Sequence, residues 1–307
     1  MTALATPPLW IRATRPLVRT MPGRYRAIDW ICRGRRDRFI ADFRPGGSRA
    51  LRFVCDLRDG IAREVCFVGR YGAQETRLLR ALLRPGMTAV DVGANWGYFT
   101  LLAASLIGSQ GRVVALEPEP RLFQLLDENV RLNDLSQVTA IRAAATDRSN
   151  VTLPLLSFDE SSCNWGVSSI APALAGETRE VDGRSLDGLM TELGLGTIDV
   201  VKIDVEGHEL AVLAGMAAGL AANRYRRLII EWHPTILPAP HAAMTDAFGG
   251  LTHAGYRGWW IDHTPERTRA AAYGGPVHLY PVTTAASDDP WPHTLWLADG
   301  EPDPGEV

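Results

Sequence analysis

Val90-Asp91-Val92-Gly93-Ala94-Asn95-Trp96-Gly97-Tyr98-Phe99 is the stretch that decides the fold of this 307-residue chain. Met87-Thr88-Ala89-Val90 leads into it as a short β-type run, and residues 98–107 leave it as an apolar helical run. Between them lies a turn with two glycines and an asparagine. A strand, a Gly-rich turn and a helix form the first unit of a nucleotide-type binding site. Small residues let the backbone approach a ligand closely, and asparagine is among the few non-glycine residues that visit left-handed geometry routinely.

Outward from that unit, strands and helices alternate. Strands are expected at 88–92, 112–116, 138–143, 198–203 and 227–231, with 256–261 and 294–297 as two further candidates. Helices are expected from Gly97, after Pro120 with a Leu122, Leu126 and Val130 stripe, at 186–193, around Leu210, Leu213 and Met216, and at 242–254. The segment 151–181 breaks the rhythm with two strand-like runs around a Ser/Gly-rich loop. Upstream, 38–43, 50–57 and 63–68 look like strands between glycine turns. A helix at 73–83 ends at Pro85-Gly86. The organisation expected is an Arg-rich extension at 1–80 packing on the core, an α/β domain at 81–297 with an inserted loop 151–181, and a disordered acidic tail at 298–307.

Alternating βα units demand a doubly wound, mostly parallel sheet covered on both faces. Ligands bind such sheets at the carboxyl ends of the strands. That rule gathers Gly93, Glu117, Ala144, Asp204 and the Glu231 to His233 run on one rim. A dinucleotide site would want G-x-G-x-x-G. Here Asn95 and Tyr98 occupy the second and third glycine positions, which argues against a nicotinamide oxidoreductase. Glu117, 20 residues past Gly97, suits a carboxylate that accepts hydrogen bonds from ribose hydroxyls.

Composition narrows the class. The chain is 46% apolar and 22% charged, as for one large α/β domain with additions, or two domains. No window reaches the roughly 18 apolar residues of a membrane span. Arg12, Arg15 and Arg19 interrupt the N-terminus, so no signal peptide is read there. Four cysteines without metal-type spacing suggest free thiols in a reducing, cytoplasmic setting. Residues 1–80 carry 17 Arg against 7 acidic residues, or +10, leaving −13 on the remainder. Acidic residues break up this basic arm and no RNA-binding aromatic motif accompanies it, so no nucleic-acid partner is expected. Lys202 is the only lysine among 32 cationic residues, and it falls in an expected central strand where a compact ammonium has a use that arginine lacks.

Three runs together carry a resemblance: Asp91-Val-Gly-Ala-Asn95-x-Gly97, Ala115-Leu-Glu117-Pro118, and Val201-Lys202-Ile203-Asp204-Val205-Glu206-Gly207-His208-Glu209. Over about residues 65 to 235 the chain resembles the FkbM family of S-adenosylmethionine-dependent methyltransferases. Trp96 and His208 depart from the smaller residues usual at their places. The resemblance implies a seven-strand methyltransferase sheet, S-adenosylmethionine as cofactor, and a small-molecule acceptor, a hydroxyl of a sugar or natural product. An N-methyltransferase, or a cofactor-binding protein of this fold without turnover, are the alternatives. On this reading Asp91 orients the glycine turn or meets the methionine ammonium. Gly93, Asn95 and Gly97 let the backbone touch the methionine portion, Glu117 holds the ribose and Asp147 faces the adenine, with Tyr98, Phe99, Pro118, Ala144 and Asp204 as further cofactor-binding residues.

Methyl transfer to an alcohol needs close alignment and a base for the hydroxyl proton. Asp204, Glu206, His208 and His233 are the candidates, with His208 and Asp204 leading. Asp204, Glu231 and His233 offer metal-ligand atoms, but without a tight ligand motif no metal is expected. Lys202 is expected to pair with Asp204 or Asp91. The loop 157–169, with Asn164 and Trp165, and the aromatics Trp259, Trp260, Tyr273 and Trp291 are expected to close the acceptor site. Oligomeric state leaves no mark in the sequence.

Overall fold

A computed structural model describes residues 6–21, 23–44, 50–157, 165, 168, 170, 178–236, 240–283 and 289–305. Helices α1 (Leu9–Thr20) and α2 (Arg24–Cys32) precede an antiparallel pair, β1 (Arg38–Phe43) and β2 (Leu51–Asp56), and then α3 (Gly60–Val68) and α4 (Ala73–Leu82). The alternating core begins with β3 (Thr88–Val92), α5 (Tyr98–Ile107), β4 (Arg112–Leu116), α6 (Pro120–Leu132) and β5 (Val138–Ile141). Strands β6 (Ala144–Ala145), β7 (Val151–Leu156) and β8 (Thr178–Arg184) form a separate small sheet. Next come α7 (Leu186–Glu192), β9 (Val200–Ile203), α8 (Glu209–Ala214), α9 (Ala217–Ala221) and β10 (Arg227–Glu231). The chain closes with α10 (Pro240–His253), β11 (Tyr256–Ile261), α11 (Pro265–Ala272), β12 (Leu279–Pro281) and β13 (His293–Ala298).

The main sheet runs β12-β11-β13-β10-β9-β3-β4-β5. Its last five strands are parallel, and β13 inserts antiparallel between β10 and β11. Alternation along the strands explains why both faces are covered. Val113 and Ala115 point into one apolar cluster with α5, α6 and the N-terminal elements, whereas Val114 and Leu116 point into the other. The N-terminal segment is tied on by hydrogen bonds as well as by packing. The Asn129 side chain on α6 accepts from the Val54 amide at 2.8 Å, and that of Asn133 accepts from the Arg52 amide at 2.7 Å, which occupies the open edge of β2.

Several expectations change. Residues 63–68 are helical, not extended, because Asp59 caps the Ala62 amide and Gly69 ends the turn at φ +81°. The helix after β9 is two short ones. At the break, a Cβ on Gly215 would lie 1.9 Å from the Thr146 carbonyl oxygen, so the backbone of the small sheet sits directly against it. Strand β12 adds an eighth strand to the seven expected, and α11 lies between the two further candidate strands, where the sequence pattern assigns no element. The tail expected to be disordered is placed through residue 305: Ala298 ends β13, and Glu301 and Asp303 pair with Arg227 and Arg257.

Candidate active site

At the carboxyl rim of β3, β4, β9 and β10 lies a cavity of about 280 Å³. Its wall begins with the glycine turn. Gly93 (φ +78°) lies so close to the loop after β9 that a Cβ would stand 1.8 Å from the Asp204 carbonyl oxygen, so only glycine fits. Asn95 takes left-handed geometry (φ +51°), and its side-chain oxygen accepts from the Trp96 amide at 2.8 Å. Gly97 opens α5 with no side-chain cap.

Glu117 directly follows β4 and is 4% exposed. The Asn95 amide donates to its Oε2 at 2.8 Å and the Glu119 amide to its Oε1 at 2.9 Å. The cap of α6 is Glu119, which accepts from the Arg121 and Leu122 amides. Glu117 is thereby free of that duty. Among the described residues no ion pair reaches it, and burial pushes its carboxyl up to about 8. Each carboxylate oxygen keeps a further acceptor position, and the side chain borders the cavity.

Opposite, the loop after β9 supplies the ionisable groups. Lys202 donates to Asp204 Oδ2 at 2.9 Å, with its ammonium 4.6 Å from the Phe99 ring centroid. Across the strand pair it is in register with Asp91. Burial pulls the Lys202 ammonium down, but Asp204 and Asp91 outweigh it and hold it above its ordinary value. Burial pushes Asp204 up, and the facing ammonium overrides that and holds it below the usual carboxylate range.

His233, after β10, is 2% exposed. Its Nδ1 donates to the buried Glu209 at 2.7 Å, which turns Nε2 toward Glu206 at 3.4 Å and Glu231 at 3.8 Å. Burial lowers the imidazole, but the Glu209 hydrogen bond and charge prevail and raise it to about 9. Glu206 has φ +49°, uncommon for a non-glycine residue. Burial raises its carboxyl to about 7 against the pull of His233.

The structure brings Gly93, Asn95, Tyr98, Phe99, Glu117, Pro118, Ala144, Asp204, Glu206, His208 and His233 to the one cavity. It does not bring Asp91 or Asp147 there. Asp91 is buried in β3 and accepts from Thr100 Oγ1 at 2.6 Å. Asp147 turns to Thr146 Oγ1 and Arg148 while Ala143–Ala145 make the wall. Gly97 touches Leu126 of α6 instead of lining the cavity. His208 Nε2 is 3.1 Å from Thr146 Oγ1, and burial lowers its imidazole. The metal-type grouping on this rim is Asp204, Glu206 and His233, with Glu206 in the place expected for Glu231.

A second cavity, of about 740 Å³, lies outside the first and shares Tyr71, Phe99, Asp204 and Glu231 with it. Its other walls come from α2, α4 and α11, including Arg24, Glu75, His263, Tyr273 and His293. Of the expected aromatics, Tyr273 lines this outer cavity and Trp291 the inner one. Trp260 packs in the core against Phe248, and Trp259 is partly buried against the other core cluster. Trp165 is buried and stacks on Trp96 at 5.6 Å, whereas Asn164 lies outside the described residues. Sequence reasoning missed Glu209, Glu75, His263 and His293. Their partners are 24 to more than 180 residues away in the chain, beyond any local spacing.

Five parallel strands, an antiparallel strand inserted beside the fifth, and a glycine turn facing a buried carboxylate just past the next strand make up the class I methyltransferase fold. Residues 91–257, over half the chain, match the family described as the methyltransferase FkbM domain. The chain belongs to that FkbM family and is an S-adenosylmethionine-dependent methyltransferase.

Among curated relatives, methyltransferase sdnD of Sordaria araneosa is 29% identical over 187 residues, covering 51% of this chain and 71% of its own. Hexuronic acid methyltransferase AglP of Haloferax volcanii is 30% identical over 157 residues, covering 48% and 56%. Ribosomal RNA large subunit methyltransferase E of Pseudomonas fluorescens is 31% identical over 101 residues, covering 33% and 43%. The chain thus spans only about half the length of the last two. With an RNA methyltransferase among the relatives, the expected exclusion of nucleic acid is not carried forward. The solved structure of methyltransferase FkbM from Methylobacillus flagellatus aligns with a TM-score of 0.41 at 16% identity, over 78% of this chain and 53% of that one. Among the described residues no helix is long and apolar enough to cross a membrane.

Proposed function

We propose that the protein methylates a hydroxyl of a sugar or natural product, with the cofactor in the inner cavity and the acceptor in the outer one. The observation that carries this reading is the meeting of the two cavities at Asp204 and Glu231, beside Glu206 and His233. The inner cavity suits the cofactor because Glu117, buried and with no counter-cation among the described residues, has two acceptor positions to spare for the two hydroxyls of a ribose. Gly93, Asn95, Tyr98 and Phe99 border the methionine portion, Pro118 and Ala144 the base side, and Asp91 anchors, through Thr100, the helix that follows the glycine turn.

Bound S-adenosylmethionine supplies a sulfonium methyl, which the acceptor oxygen takes in line while the carbon–sulfur electron pair returns to sulfur. The chain's own task is to align that oxygen and receive its proton. Glu206 is the base on this reading. Its pKa of about 7 lies where a general base works best. Asp204 is committed to Lys202 and too weakly basic, and His208 faces Thr146. His233, held by Glu209, keeps a positive charge beside Glu206. A cytoplasmic location belongs to the same reading, with Cys32, Cys55 and Cys66 as buried free thiols.

Labelled methyl transfer from S-adenosylmethionine to a panel of hexuronic acids, polyketide alcohols, amines and ribosomal RNA tests the assignment. The reading expects product with the carbon and proton shifts of an O-methyl group. An N-methyl signal, or transfer to RNA alone, overturns it.

A further inference from the structure

Apart from the groups assigned above, Glu75, His263 and His293 converge at the inner end of the outer cavity. Glu75 sits on α4, His263 between β11 and α11, and His293 at the start of β13. Glu75 Oε1 lies 2.9 Å from His263 Nε2 and 3.6 Å from His293 Nε2, and one ligand atom from each lies within 4.8 Å of the others. We propose that these three residues bind a divalent transition-metal ion, with zinc the best match to their donor set.

Four observations support the site. Ligand atoms 2.0–2.1 Å from a tetrahedral ion stand about 3.3 Å apart, a value that the two Glu75 separations of 2.9 and 3.6 Å bracket. Glu75 Oε1 and His263 Nε2 are buried and, despite their proximity, lack a hydrogen-bond partner among the described residues, so their alignment is not that of donor and acceptor. Glu75 itself is 5% exposed and faces the cavity. His293 Nδ1 donates to the Trp291 carbonyl at 2.8 Å, the outer-shell arrangement common to metal-bound imidazoles, and this turns Nε2 toward Glu231 Oε2 at 3.0 Å and Glu75 Oε1 at 3.6 Å, so the ion takes the place of the Nε2 proton shared with Glu231.

Two imidazoles and one carboxylate suit zinc and its neighbours, whereas magnesium and calcium want all-oxygen sets. The other grouping, Asp204, Glu206 and His233, already holds a cation in Lys202. The two imidazole rings stack 3.9 Å apart, so seating the ion needs them to splay. Three protein ligands leave one position open to the chamber, where an acceptor oxygen would bind. That role rests on the placement of the acceptor given above, whereas binding of the ion does not. None of the three residues falls within the family-matched stretch 91–257.

The test uses the full chain stripped with chelator. Zinc retained after desalting and the visible absorption of added cobalt(II) are the readouts, and S-adenosylhomocysteine binding is measured in parallel. The expected result is one zinc per chain and a tetrahedral cobalt band. Glu75→Gln and His263→Ala should each weaken zinc at least tenfold with S-adenosylhomocysteine binding intact, and Asp204→Asn should retain the metal. Should Glu75→Gln fail to fold, the partly exposed His263 decides alone. Absence of retained zinc in the parent, or zinc lost in Asp204→Asn but kept in His263→Ala, overturns the proposal. Because cofactor binding is read separately, a failure here is distinct from a failure of the methyltransferase site.

Discussion

Glu117 offers a sharp proton-linked prediction. Its carboxyl is raised to about 8 by burial, so at pH 7 only about a tenth of the free protein carries the ionised form. Two ribose hydroxyls donating to its spare acceptor positions favour that ionised form. Binding of S-adenosylhomocysteine at pH 7 should therefore release about 0.9 proton, at a cost of about 1.4 kcal/mol in ionising the group. If only the ionised form binds, affinity should rise about 50-fold from pH 6 to pH 8 and only about twofold from pH 8 to pH 9. Calorimetry in two buffers of different ionisation enthalpy reads the proton count directly. In Glu117→Gln the proton release should vanish, the pH dependence should flatten, and affinity should drop at least tenfold. The sign for the free protein follows as well. A folded-state pKa raised from 4.5 to about 8 stabilises the fold below pH 4.5, and that stability is lost as pH rises through 8. Proton uptake, or parent affinity flat between pH 6 and 8, refutes the reasoning.

Three further outcomes are expected. Lys202→Met strands Asp204 and Asp91 without their shared cation; breaking a buried pair costs 3–5 kcal/mol, and the partial exposure of Asp204 (27%) sets the expectation at about 3 kcal/mol, read as a drop in denaturant midpoint. Unchanged stability and turnover would remove the structural role assigned to this lysine. For Glu206→Gln, kcat should fall by about 10²–10⁴. The parent's bell-shaped pH profile, with limbs near 7 and 9 from Glu206 and His233, should lose its acidic limb; an unaltered limb excludes Glu206 as the base. Gly93→Ala places a Cβ against the Asp204 carbonyl at a positive φ, so thermal melts and S-adenosylhomocysteine titration should show loss of more than about 3 kcal/mol of stability and of cofactor binding.

The cofactor half was legible because its chemistry is local in sequence. The glycine turn, Glu117 and the Lys202 to Glu209 run each sit at the end of a strand whose β-branched pattern marks it. Residues 63–68 misled because Ile61, Val65, Phe67 and Val68 suit a strand or a buried helix equally, and the Asp59 cap and Gly69 stop outweighed the pattern. Position after the third strand points Asp147 to the adenine, but its carboxylate is taken by Thr146 Oγ1 and Arg148 instead. The outer chamber was opaque for a different reason. Its walls join residues near 24, 75, 263 and 293, and no periodicity links positions so far apart.

The contact between the Arg24 guanidinium and the Ala272 carbonyl at 3.1 Å spans 248 residues. A clasp of that reach closes late in folding, since contacts of long sequence separation carry a large loop-closure cost. During synthesis, α2 emerges long before its partner near residue 272, so this wall of the outer chamber stays open until late. Sequence change on either side of this clasp can thus reshape the outer chamber while leaving the family-matched stretch 91–257 untouched.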